Sequence, residues 1–482
     1  MLVLLLAAPL AAQARLLGKL GQIEFQPCRL SAAGAPGSLE AECARITLPE
    51  NYAEPAGRRI SVRLALLASR ASKPAPDPVV LLAGGPGQSA VEAYPLAHGA
   101  LGPLLAKRNI LLVEQRGTGE SSPLKCPMPD WKDPQEQTVA SARAQALACL
   151  KTYEGKADPR WYTTDDYIED LEQVRKALGV AQFDLVGGSY GTRVALEYLR
   201  RHPDSLRAVF IDSVVPPELA LGQDHARNLE DALDGMAQRC SADKACAARY
   251  GDLRASLRKL RDDVQRAPRT VSIRDPRTNE PLRLVFDAAA LLGVARMFSY
   301  APETVMVLPY LLGEAAAGRP EALLAQAQLI YASLPDQLAH GLELSVICSE
   351  DADLLRTDEA DRDTLMGADF AAFIKAQCEV WPHRQRAADF KQPVVSSVPV
   401  LLVSGERDPV TPPRYAEQAA KTLSNSRQLV AKGQGHTPMG AGCLPRLIRE
   451  FFDKLEPQKL DAHCLDAMGD APFFIDAQGP AP

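Results

Sequence analysis

Two stretches near the amino end, ARITLPENY (44–52) and RRISVRLALLAS (58–69), alternate apolar and polar residues, with a Pro/Gly-containing turn between them. A period of two puts successive side chains on opposite faces, so each stretch predicts a strand with one buried face. Past a proline-rich break at 73–78 the pattern changes. PVVLLAGGPG, RNILLVEQRGTGES and FDLVGG each carry a short unbroken apolar run ending in glycine or polar residues. Such runs suit strands buried on both faces. LRAVFIDSVVPP reads as another. Between these runs, residues 165–178 repeat their apolar positions at helical spacing, and SYGTRVALEYLRRHP forms a second helical segment closed by Pro203. From about 216 to 392 the chain is rich in Ala, Leu, Arg and Asp, helical in texture and poor in strand-like runs. The strand pattern returns at 398–409 and 426–436, and a last helix is expected near 444–455.

This alternation predicts the α/β class: a mostly parallel, twisted sheet with helices on both faces. Residues 15–215 would form the first part of the core and 393–482 the second, with a C-terminal extension. Residues 216–392 would form a helical cap insertion over the carboxyl ends of the strands, where open α/β sheets place their ligands. The chain has 482 residues and a net charge of −6 without a concentrated basic surface, which argues against a nucleic-acid partner. Residues 2–12 are almost wholly apolar and lead to Ala12-Gln13-Ala14, a small-x-small cleavage pattern, so residues 1–14 are expected to be a signal peptide. The run is too short for a membrane span, and no Lys or Arg precedes it. Ten cysteines, close together in consecutive pairs, suggest bridges 28–43, 126–149, 240–246, 348–378 and 443–464. Signal and cysteines together point to a secreted or periplasmic protein. No metal-ligand constellation is visible, no cofactor is implied, and nothing specifies an oligomeric state.

The chemistry begins at Gly187-Gly188-Ser189-Tyr190-Gly191, a G-x-S-x-G at the junction of an apolar strand and a helix. A tight strand-to-helix turn there would project the Ser189 hydroxyl as a nucleophile. A serine needs a base, and among seven histidines His436 alone stands in a glycine loop (KGQGHTPMG) after a strand. Asp408, in SGERDPVTPP, follows the preceding strand and would set the imidazole tautomer. The order Ser, Asp, His is that of the α/β-hydrolases. An oxyanion hole needs backbone donors, for which Tyr190, after the nucleophile, and Gly85, in LLAGGPGQSA, are the candidates.

Taken together, AGGPGQS, LLVEQRGTGESS, LVGGSYGTRVALEYLRRHP, LLVSGERDPVTPP and GQGHTP resemble the tripeptidyl aminopeptidase and proline iminopeptidase branch of the α/β-hydrolases. The resemblance runs from about residue 28 to 464 and includes a segment similar to the tripeptidyl aminopeptidase C-terminal domain. It implies an α/β-hydrolase fold and a serine exopeptidase acting on peptides with a free N-terminus. Ser189 would be its nucleophile, Asp408 the acid, His436 the base, and Gly85 and Tyr190 the oxyanion donors. Ala83 stands where proline iminopeptidases have the His of HGGPG, and Glu114 where many relatives have Asp. Both departures place the chain nearer the tripeptidyl aminopeptidases.

A charged α-amine calls for a carboxylate partner. In CSEDAD, beside Cys348, Glu350 is the leading candidate anchor and Asp351 the second, whereas Glu114 and Arg116 are expected to hold loop structure. Two other readings stay open. An exported carboxylesterase or other acyl hydrolase could use the same triad, since fold does not fix the leaving group. A non-catalytic binding protein is disfavoured by the filled triad positions. Dehalogenase or epoxide hydrolase chemistry would need Asp where Ser189 stands.

Overall fold

The computed structural model describes residues 18–32, 35, 37–127 and 138–481, apart from the side chains of 334–336. The signal expected at 1–14 lies outside them. Nine strands form the central sheet: β1 (Gln26–Leu30), β2 (Leu39–Pro49), β3 (Arg59–Leu67), β4 (Val79–Leu82), β5 (Ile110–Val113), β6 (Phe183–Gly188), β7 (Leu206–Asp212), β8 (Val400–Gly405) and β9 (Ser426–Ala431). Their spatial order is β9-β8-β7-β6-β4-β5-β3-β2-β1. β4 to β9 run parallel to one another, while β1, β2 and β3 are antiparallel additions at one edge. The division follows the patterning. β4, β5, β6 and β8, the unbroken apolar runs, are buried along their whole length, whereas the alternating β2 keeps polar positions outward.

Helices cover both faces. On one lies α1 (Ala90–Leu101); on the other pack α2 (Thr164–Leu178) and α3 (Tyr190–Arg201). Thr163 caps α2 through a reciprocal hydrogen-bonded box with Asp166, and Gly179 ends it in a left-handed conformation. Between β7 and β8 the chain builds a mostly helical body. Its helices include α4 (His225–Ala242), α5 (Ala288–Phe298), α6 (His340–Glu350) and α7 (Asp369–Cys378). α8 (Leu444–Lys454) then joins α1 on its face of the sheet. The inserted body has an apolar core of its own, with Leu233, Leu257, Leu291 and Leu324, to which the C-terminal tail contributes Phe473. One of its features was not expected: an antiparallel hairpin, Arg269–Arg274 with Pro281–Phe286.

All ten cysteines are paired in the five expected bridges, at sequence separations of 6 to 30 residues. Cys348–Cys378 clamps the ends of α6 and α7 together, and Cys443–Cys464 ties the start of α8 to the C-terminal tail. No described helix is long and apolar enough to cross a membrane.

Candidate active site

β6, β7, β8 and β9 are neighbours in the sheet and run parallel, so their carboxyl ends share one rim. Ser189 immediately follows β6 at φ 54° and ψ −124°, and α3 starts at the next residue. Positive φ is unfavourable for serine and persists only where the surroundings over-determine it. Here the Ser189 N–H donates to the Asp212 carbonyl at 3.0 Å, while its own carbonyl accepts from the Thr192 N–H (2.9 Å) and hydroxyl (2.6 Å). Gly191 is required for a steric reason: a Cβ there would stand 2.1 Å from the Leu82 carbonyl oxygen at the end of β4. Only glycine lets α3 start this close to the neighbouring strand.

Asp408 lies three residues past β8 and is buried. Its Oδ1 accepts from the N–H groups of Val410 (2.8 Å) and Thr411 (2.9 Å), and its Oδ2 accepts from the Thr411 hydroxyl (2.8 Å). The His436 Nδ1 sits 3.0 and 2.9 Å from the two carboxylate oxygens. Burial alone would raise the carboxyl pKa, but the charge and hydrogen bond of His436, with the loop N–H donors, outweigh it and hold the group down to about 2. With Nδ1 engaged by the carboxylate, Nε2 is the ring nitrogen left for proton exchange.

The His436 loop is itself pinned. Its N–H donates to the Tyr300 carbonyl at 2.7 Å, and the Tyr300 ring meets the imidazole edge-on with centroids 5.1 Å apart. Thr437, at φ 56°, donates its N–H to the Ser213 hydroxyl at 2.8 Å. Its methyl group lies 3.8 Å from where a Cβ on Gly188 would stand, so this loop rests against the turn that carries Ser189. The structure thus joins Asp408 to His436 and brings the His436 loop onto the Ser189 turn. The loop 84–87 closes the other side: a Cβ on Gly84 would be 3.2 Å from the Ser189 Cβ. Gly85 adopts φ +105°, open only to glycine. The Ala339 N–H holds this loop from the α6 side by donating to the Gly87 carbonyl at 3.0 Å. Tyr190 opens α3, so its N–H belongs to the positive end of that helix.

The sequence matches the α/β hydrolase fold family over residues 77–279 and the TAP-like protein family over 364–464, together well over half of the chain. The serine protease Hip1 of Mycobacterium tuberculosis is 25% identical over 475 residues, covering 90% of this chain and 89% of that protein. A tripeptidyl aminopeptidase of Streptomyces coelicolor is 24% identical, covering 82% of this chain and 77% of that protein. A proline iminopeptidase of Neisseria gonorrhoeae is 26% identical over 137 residues, 28% of this chain and 32% of that protein. The chain is an α/β-hydrolase of the tripeptidyl aminopeptidase and proline iminopeptidase family.

In this α/β-hydrolase the two expected amine anchors are otherwise engaged. Glu350 accepts from the Thr164 N–H (2.8 Å) and hydroxyl (3.0 Å). Asp351 is fully buried between Arg193, at 2.8 Å, and Lys391. They belong to a buried ionic cluster beneath α3, where an unpaired charge would be costly, so their oxygens face protein groups rather than a substrate amine. The acidic run in the sequence carries no sign of this, because the partners lie far away along the chain. Glu114 and Arg116 do hold loops. Glu114 accepts from the hydroxyls of Ser89 (2.7 Å) and Ser121 (2.8 Å), and Arg116 forks onto Asp170 at 2.5 and 2.7 Å.

Sequence reasoning passed over Asp212, the last residue of β7. It is fully buried, its Oδ2 accepts from the Met439 N–H at 2.7 Å, and its backbone carbonyl holds the Ser189 N–H. Burial, with the nearby Asp408 charge, pushes its carboxyl well above the usual range. Its neighbour Ser213 anchors the His436 loop, so this dipeptide ties the Ser189 turn and the His436 loop to the sheet. The only clue in the sequence is a carboxylate ending an apolar run.

Proposed function

We propose that this α/β-hydrolase is a serine exopeptidase that releases residues or short peptides from free peptide N-termini. The observation that carries the reading is the Asp408–His436 pair, at 2.9 Å, on the same rim of the sheet as the positive-φ turn of Ser189, whose Gly188 is approached by the neighbouring Thr437 methyl. In the proposed mechanism His436 takes the Ser189 proton through Nε2 while Asp408 holds the imidazole tautomer and stabilises the imidazolium. The serine oxygen attacks a peptide carbonyl, and the N–H groups of Gly85 and Tyr190 receive the developing oxyanion. His436 then protonates the departing amine, and water activated by the same imidazole releases the acyl group. Residues 216–392 act as a cap that blocks long N-terminal extensions. The names of the relatives support peptide bonds as substrates, and five disulfides suit an oxidising compartment, so we place the enzyme outside the cytoplasm, secreted or periplasmic.

A fluorophosphonate probe should label the wild-type protein and not Ser189→Ala. Kinetics on an alanyl coumarin amide, its N-acetyl form and a simple ester then separate the readings. Turnover of the free-amine amide well above the acetylated one is the expected outcome. Turnover of the ester alone would make the protein a carboxylesterase, and no labelling of native protein would make it a binding protein.

A further inference from the structure

The cap presents a wall to His436, and two polar side chains on it have no hydrogen-bond or ion-pair partner among the described residues. The first turn of α4 is docked on the acid loop: Asn228 donates to the Val410 carbonyl at 2.7 Å, and the Tyr415 hydroxyl donates to Asp224 at 2.9 Å. His225 begins that turn. From the other side, the end of α5 leads directly to Tyr300, whose ring and carbonyl both contact His436. Arg296 stands in the last turn of α5. Phe370, at the start of α7, bridges the two: its ring lies 5.8 Å from the His225 ring and 5.8 Å from the Arg296 guanidinium. Among the described residues neither His225 nor Arg296 has a hydrogen-bond or ion-pair partner, and both are half-buried. Arg193, by contrast, is paired with Asp351.

We propose that Arg296, with His225 beside it, is a carboxylate subsite on the leaving-group side of the scissile bond. The side follows from the chemistry. The imidazole that protonates the departing amine must face it, so the wall packed on His436 receives the departing fragment. Arginine is suited to this task because its planar fork matches a carboxylate, and a half-buried guanidinium that meets only an aromatic ring keeps its N–H donors for one. Burial, with the charges of Arg296 and His436, pushes the His225 pKa down to about 3. The ring is therefore neutral in the working range and adds a hydrogen-bonding group without competing for the anion. The substrate class implied is a short peptide whose departing part carries a carboxylate near the cut, either its own C-terminus or an acidic side chain. This inference rests on the exopeptidase reading.

The test uses the shortest alanine oligomer that the full-length enzyme cleaves, as free acid, as C-terminal amide, and as the amide with Asp after the scissile bond. An alanyl coumarin amide, with an uncharged leaving group, serves as reference. Wild-type kcat/KM for the free acid should exceed that for the amide by about 10- to 100-fold, the range a charge-assisted hydrogen bond supplies. Arg296→Gln should bring this ratio close to one, and Arg296→Lys should keep part of it. If the Asp-containing amide recovers the rate, the subsite takes a side-chain carboxylate; if only the free acid is fast, it takes the C-terminus. A wild-type ratio near one, or a ratio that Arg296→Gln leaves intact, overturns the subsite. Should Arg296→Gln not fold, the wild-type ratio and Arg296→Lys decide. Hydrolysis of esters with no peptide cleaved at all would overturn the exopeptidase reading, and the subsite with it.

Discussion

A carboxylate taken out of water resists ionisation, yet Asp408 stays ionised to about pH 2 because His436 and the donors of its own loop offset the burial. Its folded pKa lies below the ordinary Asp value of about 3.9, so its contribution to stability is fully present above about pH 4 and is lost as pH falls through 2. At about 1.4 kcal/mol per pKa unit that contribution is on the order of 2 kcal/mol. Asp408→Asn is therefore expected to show a stability gap from wild type of that size at neutral pH, closing between pH 4 and 2 in urea titrations. Its kcat should fall by about 10⁴-fold, as loss of the tautomer-setting acid does in serine proteases. The places of Ser189, Asp408 and His436 at strand ends were legible because each follows an apolar run and stands in a glycine- or proline-rich turn. The surroundings of Asp212, His225 and Arg296 were not, since each sits inside or at the end of an ordinary-looking element, and its neighbours in space come from distant parts of the chain.

Among the elements, α3 depends most on one local condition. It begins directly after Ser189 and is pressed onto β4, so the last glycine of the motif is a packing requirement as much as a turn requirement. Gly191→Ala would push a methyl group into the Leu82 carbonyl, a backbone atom that cannot swing aside. We expect a loss of about 3 kcal/mol or more in chemical denaturation, together with loss of fluorophosphonate labelling. α2 was foreseen at 165–178 and is found as Thr164–Leu178, because its cap residues and Gly179 mark both ends in the sequence itself. The hairpin within the cap was missed for the opposite reason. RTVSIR and PLRLVF alternate only weakly, with several exposed positions, and are flanked by charged helical sequence. Their pairing with each other is what makes them strands.

Across the whole molecule, cap and core are joined by more than the two crossings at β7 and β8. The C-terminal tail passes the loop that leads to His436, where Gly469 packs against Gly433, and then enters the cap. Phe473 completes the cap core under the Arg239 guanidinium at 4.5 Å, and the Phe474 N–H donates to the Met306 carbonyl at 2.9 Å. The tail therefore straps the cap in place. Phe473→Ala should cost about 3–5 kcal/mol of cap stability. Limited proteolysis is expected to cut the variant within 216–392 before the core, and the variant should accept N-acetylated peptides better than wild type does. The sequence by itself determined the α/β class, the cysteine pairing and the order in which Ser189, Asp408 and His436 follow three of the strands, because these follow from local periodicity, turn residues and short-range spacing. Tertiary structure alone decided that Glu350 and Asp351 turn inward to Arg193 and Lys391, that Asp212 and Ser213 tie the Ser189 turn to the His436 loop, and that Arg296 meets the Phe370 ring with no carboxylate partner among the described residues. A side chain's charge is written in the sequence, but whether that charge is already neutralised depends on neighbours that only folding brings within a few ångströms.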